Sequence, residues 1–285
     1  MKITHVNLFS SDEDVANESI TFRLNQGKPT DRYIARAIMG LDPDDIVPKF
    51  YGFNINGKSK FFDFAIKARL VVIRLALNPR FRIDESYSDI RDTLYKIISA
   101  NRSGEVTMHF NAGATTVCKI SGFVTKFEVP YFNEVPEVQI TVRCDDPMFR
   151  AINPVDYAPG EFDTTNPVTI PDSISTAPHG FAMQVTMTAA IPSFTIQDDP
   201  TTPEWMFKVT PSGGFLVGDV LYFSSEFSNK YLYIMRGSTK IPLMDTLDPT
   251  SIWPILFPGQ NIFHFVNIAS MTWNDLNYYP AYWGV

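Results

Sequence analysis

Residues Gly52-Phe53-Asn54-Ile55-Asn56-Gly57-Lys58-Ser59 fit the pattern G-x-x-x-x-G-K-[ST], in which backbone amides and a lysine hold the phosphates of a nucleotide. That chemistry needs a buried strand before the loop and a helix after it, because the N–H groups at the helix start complete the cradle. Neither is legible here. The lead-in LDPDDIVPKFY contains Pro43 and Pro48 and no continuous apolar run, and the residues after Ser59 alternate with period two. Asn56-Gly57 is a favoured pair for a type I′ turn, so the segment reads as a β-hairpin.

The remaining chemically able residues are scattered. His5, His109, His179 and His264 show neither H-E-x-x-H nor paired Cys/His spacing, the arrangements that hold a transition metal. The acidic pairs Asp44-Asp45, Asp145-Asp146 and Asp198-Asp199 stand close to prolines, where Asp commonly shapes turns. No G-x-S-x-G elbow and no D-x-D-x-D-G calcium loop occurs. Cys118 and Cys144, the two cysteines, each fall in an expected strand and read as buried free thiols. No catalytic, cofactor-binding or metal-ligating set is therefore expected, and no cofactor.

Composition points to a packed β protein. Of 285 residues, 45 % are hydrophobic and 19 % charged, while aromatics reach 14 % beside 21 prolines. The net charge of −7 argues against non-specific adhesion to nucleic acid or to an anionic membrane. The longest apolar run, LVVIRLAL at 70–77, is too short for a membrane span. The segment MKITHVNLFSSDEDVANES lacks the apolar core of a secretory signal, so synthesis in a cytoplasm is expected.

Two units are expected, 1–152 and 179–285, joined by a Pro-rich linker over 153–178. In the first, the spacing of Tyr33, Ile34, Ala37 and Ile38 predicts a short helix between Thr30 and Gly40. The stretch 62–72 reads as one long strand, with Phe62, Phe64, Ile66, Ala68, Leu70 and Val72 on its buried face and Asp63, Lys67 and Arg69 outward. Residues 84–101 carry an apolar stripe (Tyr87, Ile90, Leu94, Ile97, Ile98) with Ser86 as N-cap, which predicts a helix. EVTMHF, TVCKISGFV and EVQITVRC read as strands, the last with Val138, Ile140, Val142 and Cys144 inward. FAMQVTM, EWMFKVT, DVLYFSS and KYLYIMR give the second half a β-sandwich pattern.

That half also contains SIWPILFPGQNIFHF at 251–265, where Pro258-Gly259 marks a turn into a strand beginning near Ile262. With GDVLYFSSEFSNKYLYIMRG (218–237), its pattern S-x-W-x-x-L-x-P-G-x-N resembles the C-terminal domain of the distal tail protein family of long-tailed bacteriophages. AIMGLDPDDIVPKFYGFNINGKSKFFDF, the helix at 84–101 and VRCDDPMF are similar to the family's N-terminal belt domain. The resemblance implies a mainly β fold, a belt domain of β-sandwich or hairpins with one helix followed by a galectin-like β-sandwich. It implies a virion protein of the tail tip or baseplate, not an enzyme, forming a homo-hexameric ring. Its partners would be the tail tube protein, a hub or baseplate protein and a fibre or receptor-binding protein. In that setting Trp253 and Phe257 are expected as core plugs, Gly259 as the turn glycine, and Tyr278, Tyr279, Tyr282 and Trp283 as a docked tail. The other functional class is a carbohydrate-binding module acting on the host surface through the second domain.

The hairpin reading of 52–59 makes Lys58 a turn residue. Lys58→Ala should therefore change stability by no more than ~0.5 kcal/mol, and titration calorimetry should find no micromolar ATP affinity in either form.

Overall fold

The computed structural model describes residues 3–10, 19–24, 31–42, 46–53, 59–78, 84–97, 105–129, 136–157, 167–227 and 229–284. It divides into one unit of residues 1–152 with 283–285 and a second of 153–282.

The first unit contains β1 (His5–Ser10), β2 (Ser19–Leu24), β3 (Tyr33–Met39), β4 (Ile46–Phe53), β5 (Ser59–Ile66), β6 (Arg69–Leu77), α1 (Tyr87–Ile97), β7 (Glu105–Ala112), β8 (Thr115–Glu128), β9 (Glu137–Cys144) and β10 (Phe149–Ala151). One sheet runs β8-β7-β1-β2-β3-β6-β9, and β9 pairs back onto β8, so the sheet closes into a barrel. Closure removes the unpaired edges that an open sheet exposes. The alternation of each strand fills the interior: Val6 and Leu8, Ile20 and Phe22, Ile73 and Leu75, Met108 and Phe110, and Val138, Ile140, Val142 and Cys144 are buried.

β8 makes closure possible by serving successive neighbours. Residues 115–123 pair with β7, and 123–128 pair with β9. At the changeover stands Gly122. A Cβ there would collide with the Arg143 carbonyl oxygen and lie 2.8 Å from the Cys144 Sγ, so β9 can approach only because the side chain is missing.

Several expectations for this unit are corrected. Residues 33–39 form a strand, β3, not a helix, lying parallel to β2 and antiparallel to β6. A register shift between Ala35 and Ala37 breaks its alternation, which left a pattern that imitates helical spacing. Gly40 ends that strand at φ +83. The long strand over 62–72 is two strands, β5 and β6, separated at Lys67-Ala68. On β6 the phase is opposite to the expected one: Arg69 is buried at 1 % exposure and Leu70 stands out at 53 %. The side chains of β5 lie outside the described residues. The helix at 84–101 is present as α1. Ser86 Oγ accepts from the Asp89 N–H at 3.2 Å while Asp89 Oδ2 accepts from the Ser86 N–H at 2.8 Å, a reciprocal cap. Ile90 and Leu94 are its buried side, and Ile98 lies outside the described residues.

The second unit contains β11 (Val155–Tyr157), β12 (Val168–Asp172), β13 (Ala182–Met187), β14 (Phe194–Gln197), β15 (Met206–Val209), β16 (Val220–Ser224), β17 (Tyr231–Arg236), β18 (Thr239–Pro242), β19 (Gly259–Val266) and β20 (Met271–Tyr278). One sheet has the order β11-β20-β13-β16-β17-β18 and the other β12-β19-β14-β15. Between them lies an aromatic core that includes Phe181, Phe194, Phe207, Phe223, Phe263, Phe265 and Trp273. This is the expected β-sandwich. The stretch 153–178 is not simply a linker, since β11 pairs with β20 and β12 pairs with β19. Pro171 lies on β12, an edge strand, where proline is tolerated.

The Gly122 crossing is the most restrictive point in the barrel. Gly122→Val should destabilise the first unit by about 3 kcal/mol or more, because the obstruction is backbone and cannot swing aside, and urea unfolding should register the loss. Val→Ala changes at the half-buried positions Val72 and Val117 provide the mild reference.

Candidate functional site

The residues that looked able to do chemistry are occupied in shaping the chain. The phosphate-loop pattern begins on β4 and ends on β5, which pair antiparallel with Phe53 opposite Ser59. A strand follows the motif where a phosphate cradle needs a helix; residues 54–58 themselves lie outside the described residues. Asp198 Oδ1 accepts the N–H groups of Asp199, Glu204 and Trp205 at 3.0–3.3 Å, and Asp199 Oδ1 accepts those of Thr201 and Thr202 at 2.7 and 2.9 Å. Asp146 accepts from the Met148 N–H and pairs with Arg150 at 2.8 Å, and Asp145 pairs with Arg143 at 3.0 Å. These carboxylates serve turns, as expected. Asp44-Asp45 lie outside the described residues. Both cysteines are buried, and burial pushes the Cys118 thiol up to about 12. Among the described residues no cluster of three or more His, Cys, Asp or Glu could hold a metal ion.

One constellation escaped the sequence reading. Asp172, Ser175 and His179 lie together, all buried. Their residue types are those of a hydrolase triad, but the geometry is different. A triad places the carboxylate on Nδ1 and the hydroxyl on Nε2. Here His179 Nε2 lies 2.9 Å from Asp172 Oδ2 and 3.1 Å from Ser175 Oγ, while Nδ1 lies 2.8 Å from the Gly180 carbonyl oxygen. Nδ1 thus faces a backbone carbonyl, and Nε2 faces both the Asp172 carboxyl and the Ser175 hydroxyl. Ser175 Oγ accepts the Ala281 N–H at 3.2 Å, and the His179 ring stacks on Tyr278 at 5.0 Å. The group is a buried clasp holding the 172–180 segment to the end of β20. Only the i, i+3, i+7 spacing of the three residues hinted at it, and this spacing on a non-helical segment gives no sequence signal.

The motif at 251–261 proves to be a sequence of fastenings. Ser251 Oγ accepts the Lys208 N–H at 3.0 Å and donates to the Lys208 carbonyl at 3.1 Å. Trp253 packs against Phe207 at 5.0 Å and Phe223 at 5.5 Å, as a core plug should. Leu256 is fully buried and bridges to the backbone of His179. Phe257 departs from expectation: it is 51 % exposed, because the alternating extended chain turns Leu256 inward and its neighbour outward. Gly259 has φ +111. Asn261 then closes the turn, its Oδ1 accepting the Phe257 N–H and its Nδ2 donating to the Phe257 carbonyl, each at 2.8 Å.

Gly218-Asp219 has a comparable role. Asp219, 1 % exposed, accepts from Arg236 Nε at 2.9 Å and Nη2 at 2.7 Å, and from the Leu216 N–H at 2.8 Å. The Arg236 hydrogen bonds, opposed by burial, hold its carboxyl below the usual carboxylate range. The expected tail residues divide between the two units. Tyr278 is buried and donates to the Pro171 carbonyl at 2.8 Å, and burial pushes its phenol up. Trp283 belongs to the first unit, where its carbonyl accepts from Arg69 Nη2 at 2.6 Å. Tyr279 and Tyr282 are only partly covered.

These details accompany a recognised fold. The crystal structure of SPP1 Dit (gp 19.1), described as a paradigm of the hub adsorption apparatus in phages infecting Gram-positive bacteria, matches over 97 % of this chain and 98 % of that one, with TM-score 0.59 and 13 % identity. This chain therefore has the fold of that Dit protein through both units. A chain of the phage p2 baseplate in its activated conformation with strontium aligns over 96 % of this chain and 98 % of its own at 11 % identity and TM-score 0.42. No family model and no curated protein sequence matches.

The buried clasp yields an ordered prediction. His179→Ala removes the ring that meets Asp172 Oδ2, while Oδ1 keeps the Ser175 N–H, and should cost about 3–5 kcal/mol, whereas Asp172→Asn keeps an acceptor for the ring and should cost about 1–2 kcal/mol; thermal unfolding of the two variants gives the ranking. The Asp219–Arg236 pair has a definite pH sign. A carboxyl depressed in the folded state stabilises at neutral pH, and that contribution disappears as pH falls through its lowered range. Arg236→Met should lower stability at neutral pH and flatten the acid limb of the melting-temperature profile.

Proposed function

We propose that this protein is a structural component of a phage tail tip, whose copies form a ring, most simply of six, between the tail tube and the adsorption apparatus. The observation that carries the reading is the likeness to SPP1 Dit across 97 % of this chain and 98 % of that one, both units included. The motif residues Ser251, Trp253, Leu256, Gly259 and Asn261 support it, because each occupies a defined fastening in the sandwich. The expected neighbours are a tube protein, a hub or baseplate protein and fibre or receptor-binding proteins.

A ring of identical copies needs a heterologous contact, one face of a subunit against a different face of the next. The outer surface of the barrel offers material for one such face. Leu70 and Phe123 are 53 % and 46 % exposed, and both stand in register with Arg143, Leu70 on β6 and Phe123 on β8. Met39 adds 45 % exposure opposite Val72 on β6. A lumen that passes DNA without gripping it should lack phosphate-neutralising side chains, and the net charge of −7 suits that requirement. In this reading the chain has no catalytic duty.

Assembly depends on concentration when contacts are made only between folded copies. Light-scattering mass should rise from monomer towards a six-fold multiple across a concentration series. The double variant Leu70→Asp, Phe123→Asp should remain folded and shift that rise to at least tenfold higher concentration. A strict dimer at every concentration would contradict the ring.

A further inference from the structure

Residues 283–285 belong to the first unit, although the whole of the second unit, residues 153–282, precedes them in the chain. The first unit is therefore made in two parts. At about 5–20 residues per second, synthesis of the intervening stretch separates the parts by roughly ten seconds. The later part supplies one carbonyl group at a demanding place. Arg69 is buried at the start of β6, and its guanidinium donates to Pro147 (Nε, 2.6 Å), to Gly40 and Asp42 (Nη1, 2.8 and 2.6 Å) and to Trp283 (Nη2, 2.6 Å). Three of these acceptors exist as soon as residue 147 has been made, and Trp283 does not. A buried cation whose donors are incompletely met is costly, because its lost hydration goes uncompensated. A barrel lacking Trp283 is thus favoured to open at this point and admit water.

The same point carries the exposed apolar residues invoked above for the contact between copies. Leu70 follows Arg69 directly. Met39 precedes Gly40, whose carbonyl Arg69 binds; Gly40 has φ +83, and a Cβ there would collide with the Leu70 carbonyl, so this turn lies directly on the backbone of β6. On the other side Arg69 stands in register with Cys144, and the neighbouring pair Leu70–Arg143 continues to Phe123. Met39, Leu70 and Phe123 therefore all flank one guanidinium, and their positions depend on the backbone that it ties.

We propose that residues 283–285 are an assembly latch: seating the Trp283 carbonyl on Arg69 completes the corner formed by β6, β9 and the turn after β3, and only the latched form presents the apolar face in a geometry that another copy can bind. The inference rests on the ring reading for the use of that face. Its consequence is order. A growing chain, or one cut short within the second unit, holds Arg69 with an acceptor missing and does not join a ring, so rings collect only copies that carry both units. Because the acceptor is a main-chain carbonyl, the latch responds to whether the chain reaches residue 283.

Two shortened chains test this. One stops after Tyr282 and removes the acceptor; the other stops after Trp283, whose terminal carboxylate still accepts from Arg69. Hydrogen exchange is read at low concentration, where copies are apart, and light-scattering mass across a concentration series. The chain ending at Tyr282 should exchange at least tenfold faster at 39–42, 69–72 and 143–148, with β13 and β16 unchanged, and should need at least tenfold higher concentration to assemble. The chain ending at Trp283 should match the full chain in both measurements. Arg69→Lys in the full chain keeps the charge but cannot reach all four carbonyls. It should reproduce the fast exchange at 39–42 and 143–148, and it provides the measurement if the shorter chain fails to fold. Unchanged exchange at those segments, or assembly of the chain ending at Tyr282 at the concentrations of the full chain, would overturn the proposal. So would faster exchange spread evenly over the first unit, the result expected of a tie that only stabilises. A full chain that stays monomeric at every concentration would contradict the ring reading and overturn the latch with it; fast exchange confined to the named segments would then mark that reading, and not the seat of Trp283, as the part that failed.

Discussion

Closing the sheet from β8 round to β9 is the constraint on which the first unit rests. Its sheet can close only if β8 leaves β7 and takes up β9, and it does so at Gly122, where no side chain would fit against Arg143 and Cys144. Immediately across β9, Arg69 stands in register with Cys144 and is almost fully buried. Its guanidinium donates to the carbonyls of Pro147, Gly40, Asp42 and Trp283 at 2.6–2.8 Å and lies 4.8 Å over the Phe149 ring. Burying an arginine is costly unless its donors are met. Four carbonyls from distant parts of the sequence meet them, so the corner after β9, the turn after β3 and the C-terminal residues are set by one side chain.

The second unit applies a related economy to its turns. Asn261 replaces backbone hydrogen bonding around Pro258-Gly259, Asp219 fixes the entry to β16 and the exit from β17, and the Asp172–His179 clasp holds the end of β20. Polar side chains that resembled catalytic groups are consumed by this fastening. The residues through which the chain resembles distal tail proteins are therefore residues of geometry. Geometry can persist while most of the sequence changes, which agrees with the low identity between this chain and SPP1 Dit over nearly their full lengths.

How much was legible followed from how local the physics was. β9 announced itself through Val138, Ile140, Val142 and Cys144, and α1 through Ser86, Ile90 and Leu94, because period and cap are contained in a few neighbouring residues. Gly259 and Trp253 were legible for the same reason: a turn and the bulky plug beside it. β3 was misread because its register shift erased the alternation, and Arg69 because the alternation was carried across a two-residue break between strands. The barrel closure depends on contacts between residues far apart in sequence, and the clasp on a local fold of 172–179 that no periodicity encodes.

Leu70 and Phe123 stand exposed on the outside of the closed barrel, the surface that the proposed ring would cover. Electron cryomicroscopy of tail particles carrying this protein is the most direct measure of the central claim. The account predicts six copies in a closed ring at the distal end of the tube, with Leu70 and Phe123 covered and a lumen free of a basic lining. Density elsewhere in the particle, an open or two-fold arrangement, or a lumen lined by arginine and lysine would contradict it.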